Sequence, residues 1–268
     1  GPSVTNWSAN DAWFEGGTNN VETMFHFDAF AGAVLEFPTT DTYSYVSNND
    51  LVRSTGLEFM LNRLVLSGDF NGTQDQSATI QGNELLFTKS LDGDAPQLAI
   101  ESTNSGVAGY QYAIDLDMVL YDDLTITGDG SVPAMINGQI RDYFAARSLV
   151  KAGTSKVTFT ANNTYAGSTT ISGGTLALSG GATLSNTTGI EVQAGAVFDV
   201  SATDTSSLTL SSGQFLSGSG TVIGSLAADN GSVVRPGSDL GQLGITGDFT
   251  LHPGATLNLE LGGIDYGR

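Results

Sequence analysis

The stretch ISGGTLALSGGATLSNTTGIEVQAG, residues 171–195, contains the pattern that decides the fold. An apolar strand start at Ile171 precedes a corner at Gly173-Gly174, and residues 190–195 repeat both features. Glycine suits such corners because it adopts positive φ without steric cost. The stretch therefore predicts a repeat of short strands joined at glycine corners. Apolar strand starts recur at spacings of 18 or 19 residues, at Ile171, Ile190, Leu208, Leu226 and Ile245.

Apolar and polar residues alternate after the corners, most clearly in TLNLEL, residues 256–261, as in a half-buried strand. A rung of roughly 18 to 20 residues cannot bury its apolar face alone, so rungs must stack. We therefore predict an all-β fold, a right-handed parallel β-helix (solenoid) from about Leu51 to Leu261. A β-sandwich with turns every 8 to 12 residues or so stays an alternative. The predicted core includes Leu176, Phe198, Val200, Leu257 and Leu259.

The N-terminal half carries the same pattern less regularly. Four segments read as a strand followed by a glycine corner: 64–69, 78–83, 124–129 and 134–139. Insertions separate them, and residues 140–147 are the one plausible helical turn. We predict a continuous solenoid in three parts: a cap with the first irregular rungs over 1–50, irregular rungs over 51–147 and regular rungs over 148–268. The cap is expected because the first rung needs its open core covered.

The composition is strongly acidic and free of cysteine. The 268 residues include 28 Asp and Glu against 9 Lys and Arg, which gives a net charge of −19 at pH 7. Such a surface repels nucleic acid and anionic lipid, since both are bound through clustered Lys and Arg. No apolar run approaches the roughly 20 residues that span a bilayer. We therefore expect neither a nucleic-acid partner nor a membrane span, and the lack of cysteine excludes disulfides and thiolate chemistry.

A resemblance to a known family is carried by SLVKAGT, residues 148–154, and NNTYAGSTTISGGTL, residues 162–176. Both segments resemble the autotransporter-associated β-strand repeat, also called the passenger-associated transport repeat. Residues 218–249 resemble the closing rungs of the same large extracellular bacterial proteins, and residues 6–13 are similar to their N-terminal cap. The resemblance implies a β-helix that is secreted or displayed at the bacterial surface. It also implies turn and core residues rather than a catalytic set, as in adhesins, spacers and fibres.

One acidic constellation could carry chemistry: Asp115, Asp117, Asp122 and Asp123. If the apolar residues of 114–120 point inward, Asp115 and Asp117 both project outward, about 6 to 7 Å apart. That separation fits an inverting glycosidase pair or half of a calcium site. A lyase would also need a basic residue nearby, and basic residues are scarce. A solvated acidic face is the simplest interpretation, and calcium binding by these four residues is the next.

Histidine and serine give no catalytic set. His26 and His252 lie in segments of unrelated register, and a histidine metal site would need carboxylates to complete it. Residues 148–151 spell S-x-x-K, but the companion motifs of that nucleophile system are missing. We therefore predict that the chain is not an enzyme, with no catalytic residue and no cofactor apart from the calcium considered above.

The expected function is a noncatalytic extracellular structural or surface role, as a β-helical passenger, spacer, fibre subunit or adhesin. Two alternatives stay open: a glycan- or calcium-binding module, and a β-helical polysaccharide lyase or hydrolase. A surface glycan is one expected partner. End-to-end self-association is another expectation, because residues 264–268 are too short to cover an open last rung. The aromatic N-terminal region, with Trp7 and Trp13, is the expected partner surface for that rung.

Overall fold

The computed structural model describes seven stretches of the chain: residues 3–6, 34–38, 45–49, 59–70, 77–104, 109–237 and 241–260. These residues form strands, turns and bends. Within these stretches there is no helix, and so no helical segment that could cross a membrane.

The described strands are short, which suits a chain that turns a corner every few residues. They are β1 (Ser3–Asn6), β2 (Val34–Pro38), β3 (Tyr45–Asn49), β4 (Phe59–Leu61), β5 (Arg63–Ser67), β6 (Asp69–Phe70), β7 (Ser77–Gly82), β8 (Leu85–Phe87), β9 (Gln97–Ile100), β10 (Thr103–Asn104), β11 (Gln111–Asp115), β12 (Met118–Leu120), β13 (Leu124–Thr127), β14 (Ala134–Ile136), β15 (Ile140–Asp142), β16 (Leu149–Lys151), β17 (Lys156–Phe159), β18 (Thr169–Ile171), β19 (Thr175–Gly180), β20 (Gly189–Val192), β21 (Val197–Thr203), β22 (Ser207–Leu210), β23 (Phe215–Gly218), β24 (Thr221–Ile223), β25 (Ser225–Ala228), β26 (Val233–Pro236), β27 (Gly244–Ile245), β28 (Phe249–Leu251) and β29 (Thr256–Leu257).

Two long parallel sheets run the length of the molecule. The first has the order β1-β3-β7-β11-β14-β17-β19-β21-β24-β27, and the second has the order β2-β5-β9-β13-β16-β18-β20-β23-β26-β29. Each strand pairs in parallel with the equivalent strand of the next coil, as Ala113 does with Thr79 and with Met135. The predicted parallel β-helix is thus confirmed, and the β-sandwich alternative is wrong, because a sandwich pairs its strands antiparallel.

A third side lies between the first-sheet and second-sheet strands of each coil. It holds the four-stranded sheet β15-β12-β8-β4 and, later in the chain, the three-stranded sheet β22-β25-β28. Between them, in the coils that contain residues 160–168 and 181–188, turns replace the third strand, and one bridge joins Asn162 to Thr183. The third side is therefore interrupted where the two long sheets continue.

The strand starts that suggested an 18 or 19 residue period do not all occupy equivalent positions. In the second sheet, Ile171 pairs with Val192 and not with Ile190, which lies two residues earlier in the same strand. Ile190 itself pairs with Leu216. Leu208 and Leu226 do pair, but on the third side, and Ile245 belongs to the first sheet. The apparent period therefore mixed apolar residues from all three sides.

The core fills the space between the sheets. Leu176, Phe198 and Val200 are fully buried, as predicted. Leu257 is half-buried and packs against the core. Leu259 is 60% exposed, so its predicted place in the core is wrong. Strand β29 ends at Leu257, and the alternation that would have turned Leu259 inward does not continue beyond it.

Sheet pairing begins earlier than residue 51. Strand β1 pairs with β3, and β2 pairs with β5, so residues 3–6 and 34–38 already belong to the two long sheets. Trp7 and Trp13 of the predicted cap lie outside the described residues, and the boundary at residue 50 stays a prediction. The predicted helical turn at 140–147 is wrong, because β15 occupies its start and bends follow.

Corner glycines let neighbouring coils approach closely. Gly218 has φ +108°, and a Cβ there would overlap the carbonyl oxygen of Val192 in the coil below. Gly93 also has positive φ, +92°, but lies in an insertion with open space around it. Of these two glycines, Gly218 alone combines a conformation that favours glycine with a contact that excludes a side chain.

Candidate binding surface

Asp115 and Asp117 are exposed on the same side of the chain, at and just after the end of β11. The Asn137 side-chain amide donates a hydrogen bond to Asp115 Oδ1 at 2.6 Å. The Gln139 backbone N–H donates to Asp117 Oδ1 at 2.8 Å. Both donors belong to the next coil, so each carboxylate links two rungs.

Asp122 and Asp123 follow β12 and make similar links. Asp122 Oδ2 accepts the Lys89 backbone N–H at 3.0 Å, and its Oδ1 lies 3.9 Å from Lys89 Nζ and 3.7 Å from Arg147 Nη1. Asp123 Oδ1 accepts the Ser148 backbone N–H at 2.9 Å. The donors come from the coil before and the coil after.

Further aspartates repeat this arrangement, which the sequence gave no reason to expect. Asp129 Oδ1 accepts the backbone N–H and hydroxyl of Thr154, and these bonds lower the pKa of Asp129. Asp142 accepts the backbone N–H groups of Arg147 at 2.9 Å and Ala166 at 2.6 Å. A carboxylate suits this task because hydrogen bonds to a charged acceptor are stronger than neutral ones.

The calcium site predicted from the four aspartates stays a prediction. Across the described stretches, no three His, Asp or Glu side chains converge on a position that could hold an ion. His26 lies outside those stretches, and His252 Nδ1 lies 2.8 Å from Asp229 Oδ1.

Lys151 is fully buried, an unusual place for a lysine. Its Nζ donates to the carbonyl oxygens of Ala152 at 2.7 Å, Gly153 at 3.3 Å and Gly173 at 3.2 Å. Burial lowers the pKa of Lys151 from 10.5 to about 8, against the opposing effect of Asp129. The Lys151 ammonium thus joins the corners of two coils. Ser148, the serine of the S-x-x-K pattern, accepts a hydrogen bond from the Ser168 backbone N–H through its hydroxyl oxygen.

Three aromatic side chains on the third side form a cluster that we name the aromatic platform: Tyr121, Tyr143 and Phe144. The Tyr121 and Tyr143 rings stack with centroids 4.7 Å apart and planes at 19°. Phe144 meets Tyr143 edge to face at 4.1 Å and is 79% exposed. Exposed apolar groups that lie together, rather than singly, are a feature of interaction sites.

The pairing of β12 with β15 creates the platform. Leu120 pairs with Asp142, so the residue after each, Tyr121 and Tyr143, stacks in the same register. Asp142 then holds the loop closed through the Arg147 backbone N–H. Sequence reasoning missed the platform because residues 140–147 suggested a helical turn. The sequence does contain a signal: a tyrosine directly follows the strand in VLY, residues 119–121, and in IRDY, residues 140–143.

A cavity of about 320 Å³ opens where the third side is interrupted. Leu178, Leu184 and Leu208 contribute to its apolar lining, and Asp204 contributes to its polar lining. Gln214 Nε2 donates to the carbonyl oxygens of Leu184 and Thr187, which fixes the turn beside it. The cavity therefore follows from the missing third strand in this coil.

The last described coil exposes apolar side chains. Phe249 is 39% exposed and Leu251 is 44% exposed, both in β28. The predicted partners for this end, in the N-terminal aromatic region, lie outside the described residues, as do residues 261–268. End-to-end association stays a prediction.

The fold and its rung-to-rung carboxylates define the class of protein: a parallel β-helical solenoid whose coils are linked by side-chain hydrogen bonds. Residues 149–178 match the family model of the Passenger-associated-transport-repeat. The predicted resemblance is therefore confirmed for this segment, which spans β16, β17, β18 and most of β19. The match covers 30 of the 268 residues, so it supports the resemblance for that part of the chain. No curated protein and no solved structure matches the chain.

Proposed function

We propose that this chain is a noncatalytic element of a bacterial surface passenger, a rod that presents binding groups at fixed spacing. One observation carries the proposal: all four aspartates predicted as site residues accept hydrogen bonds from neighbouring coils. A general acid gives a proton to the substrate and a general base takes one from it, so either group must be free to reach the substrate. Carboxylates engaged with the next rung stabilise the stack instead.

The parallel ladders support this role. Strands of neighbouring coils lie about 4.8 Å apart, so side chains at one register position repeat along the rod at that interval. The net charge of −19 opposes nonspecific adsorption to anionic polymers and membranes. A long acidic solenoid therefore suits a spacer or an adhesive surface outside the cell.

An incubation with neutral and uronic-acid polysaccharides tests the absence of catalysis. We expect no reducing ends and no unsaturated products above a buffer control. Products that disappear in the Asp115→Ala, Asp117→Ala double variant would contradict the proposal. Loss through this variant would locate the activity at the carboxylate pair whose spacing the sequence predicts to suit hydrolysis.

The aromatic platform favours an adhesive role over that of a passive spacer. A spacer needs only stacked coils, and a ring that is largely exposed to solvent buries little area between them. Phe144 is 79% exposed while its neighbours hold it in an edge-to-face arrangement. We therefore place binding, rather than separation alone, among the functions of the rod.

A further inference from the structure

We infer that the aromatic platform binds an uncharged glycan, with one pyranose ring stacked on Phe144 and its hydroxyl groups bonded to Lys89 and Arg147. The inference rests on the noncatalytic surface role proposed above. It assigns the ligand class and the residues that contact it.

The rings are organised before a ligand arrives. Tyr121 contacts both Tyr143, at 4.7 Å between centroids, and Phe144, at 5.6 Å. The carboxylate of Asp142 closes the loop that carries the last two rings by accepting the Arg147 backbone N–H. A prearranged surface loses little conformational entropy on binding. The C–H face of a pyranose ring is apolar, so it packs against an exposed phenyl ring.

Hydrogen-bond donors with spare capacity lie beside this loop. Lys89 Nζ and Arg147 Nη1 approach the same oxygen, Asp122 Oδ1, only at 3.9 and 3.7 Å. Arg147 Nε is buried and out of a ligand's reach, so this partly exposed side chain offers its terminal N–H groups. An ammonium offers three donors and the two terminal nitrogens of a guanidinium offer four, so most are left for other acceptors. Sugar hydroxyl groups are acceptors of the right kind.

Charge decides between neutral and acidic glycans. Lys89 and Arg147 are outnumbered locally by Asp122, Asp123 and Asp142, and the whole chain carries −19. A uronic-acid polymer would be repelled both at a distance and at the site. An uncharged sugar avoids this repulsion, and its hydroxyl groups can also donate to the carboxylates.

Size decides between a glycan and a protein. Fully exposed aromatic side chains offer about 150 to 250 Å² each. With Phe144 79% and Tyr143 37% exposed, the platform presents roughly 200 to 300 Å². A stable protein partner needs about 800 Å² on each side. One or two sugar rings match the smaller area.

Calorimetric titration of the whole chain tests the inference. The probes are neutral hexasaccharides of β-1,4-glucose, α-1,4-glucose and β-1,4-mannose, with a hexagalacturonate as the anionic comparison. We expect binding of at least one neutral probe. Phe144→Ala should weaken it about tenfold, and Arg147→Gln about threefold or more. Phe249→Ala removes a phenylalanine on the last described coil and should leave the affinity unchanged.

Three results would overturn the inference: no neutral probe binds, only the hexagalacturonate binds, or Phe144→Ala binds as tightly as the parent chain. Circular dichroism of each variant shows whether the fold is retained. If Phe144→Ala does not fold, Phe144→Leu replaces it, because leucine keeps apolar bulk but loses the flat ring. Cleavage of a probe during titration would contradict the noncatalytic proposal and not glycan binding, so the two failures are distinguishable.

Discussion

The coils of residues 77–147 and those of 148–188 differ in what joins the first sheet to the second. The earlier coils use third-side strands, β8, β12 and β15, and insertions beside them. The later coils use turns, and they contain the segment that matches the passenger repeat. From Thr79 the first sheet advances 34 residues to Ala113, but from Thr158 only 19 to Ala177.

This difference separates two tasks. The two long sheets continue through both regions with the same parallel pairing, so the stack does not depend on the third side. The third side is free to vary, and it holds both the aromatic platform and the cavity. The proposed binding groups therefore belong to the variable side, while the recognised repeat builds the stack.

The largest loss of stability is expected from a side chain placed between the stacked corners of neighbouring coils. Gly218→Ala should lower the free energy of unfolding by about 3 kcal/mol or more, because it combines positive φ with overlap on the Val192 carbonyl. Gly93→Ala, in an insertion, keeps the φ problem without the overlap, and about 1 kcal/mol is expected. Urea midpoints followed by circular dichroism compare the two. Equal losses would show that conformation alone, and not close stacking, requires these glycines.

Sequence reasoning succeeded where the signal is local. Glycine corners and alternation identify β7, β13 and β14 from a few adjacent residues, and they led to the right fold. Register is not local, which is why Ile190 and Leu208 were assigned to one series although they belong to different sides. The platform depends on pairing of Leu120 with Asp142, and no feature within either segment reveals that contact.

A second prediction concerns the loop that carries the platform. Asp142→Ala removes the acceptor of two backbone N–H groups, on Arg147 and Ala166. We expect the free energy of unfolding to fall by about 2 kcal/mol, since hydrogen bonds to charged groups contribute about 1.5 to 3 kcal/mol each before the loop relaxes. Tryptic cleavage after Arg147 should become faster.

The matched control for this loop is Asp204→Ala, which removes an exposed aspartate from a turn in a later coil. It should change the urea midpoint little and leave cleavage after Arg147 at the parent rate. If Asp142→Ala is cleaved no faster than Asp204→Ala, the carboxylate does not hold the loop, and the platform is not prearranged by it.

The smallest expected effect on the free energy of unfolding comes from Lys151, in the repeat itself. Folding lowers the pKa of Lys151 to about 8 from 10.5, so between these values the unfolded chain binds more protons than the folded one. Stability contributed by this group therefore rises with pH, by about 1–2 kcal/mol from pH 8 to pH 10. Above pH 10 the trend reverses at Tyr165, because burial raises its pKa and the unfolded tyrosine ionises first.

Lys151→Met should remove the rise between pH 8 and pH 10 while it leaves three carbonyl oxygens without their donor. Lys156→Met, one strand later, removes an exposed lysine and should preserve the rise of the parent chain. Urea midpoints of the two variants are measured at pH 8, 9 and 10. The difference between them at each pH isolates Lys151, because groups that titrate elsewhere affect both variants equally. A rise of equal size in both would show that Lys151 is not the group that titrates, and that the repeat is no more sensitive to pH than the coils around it.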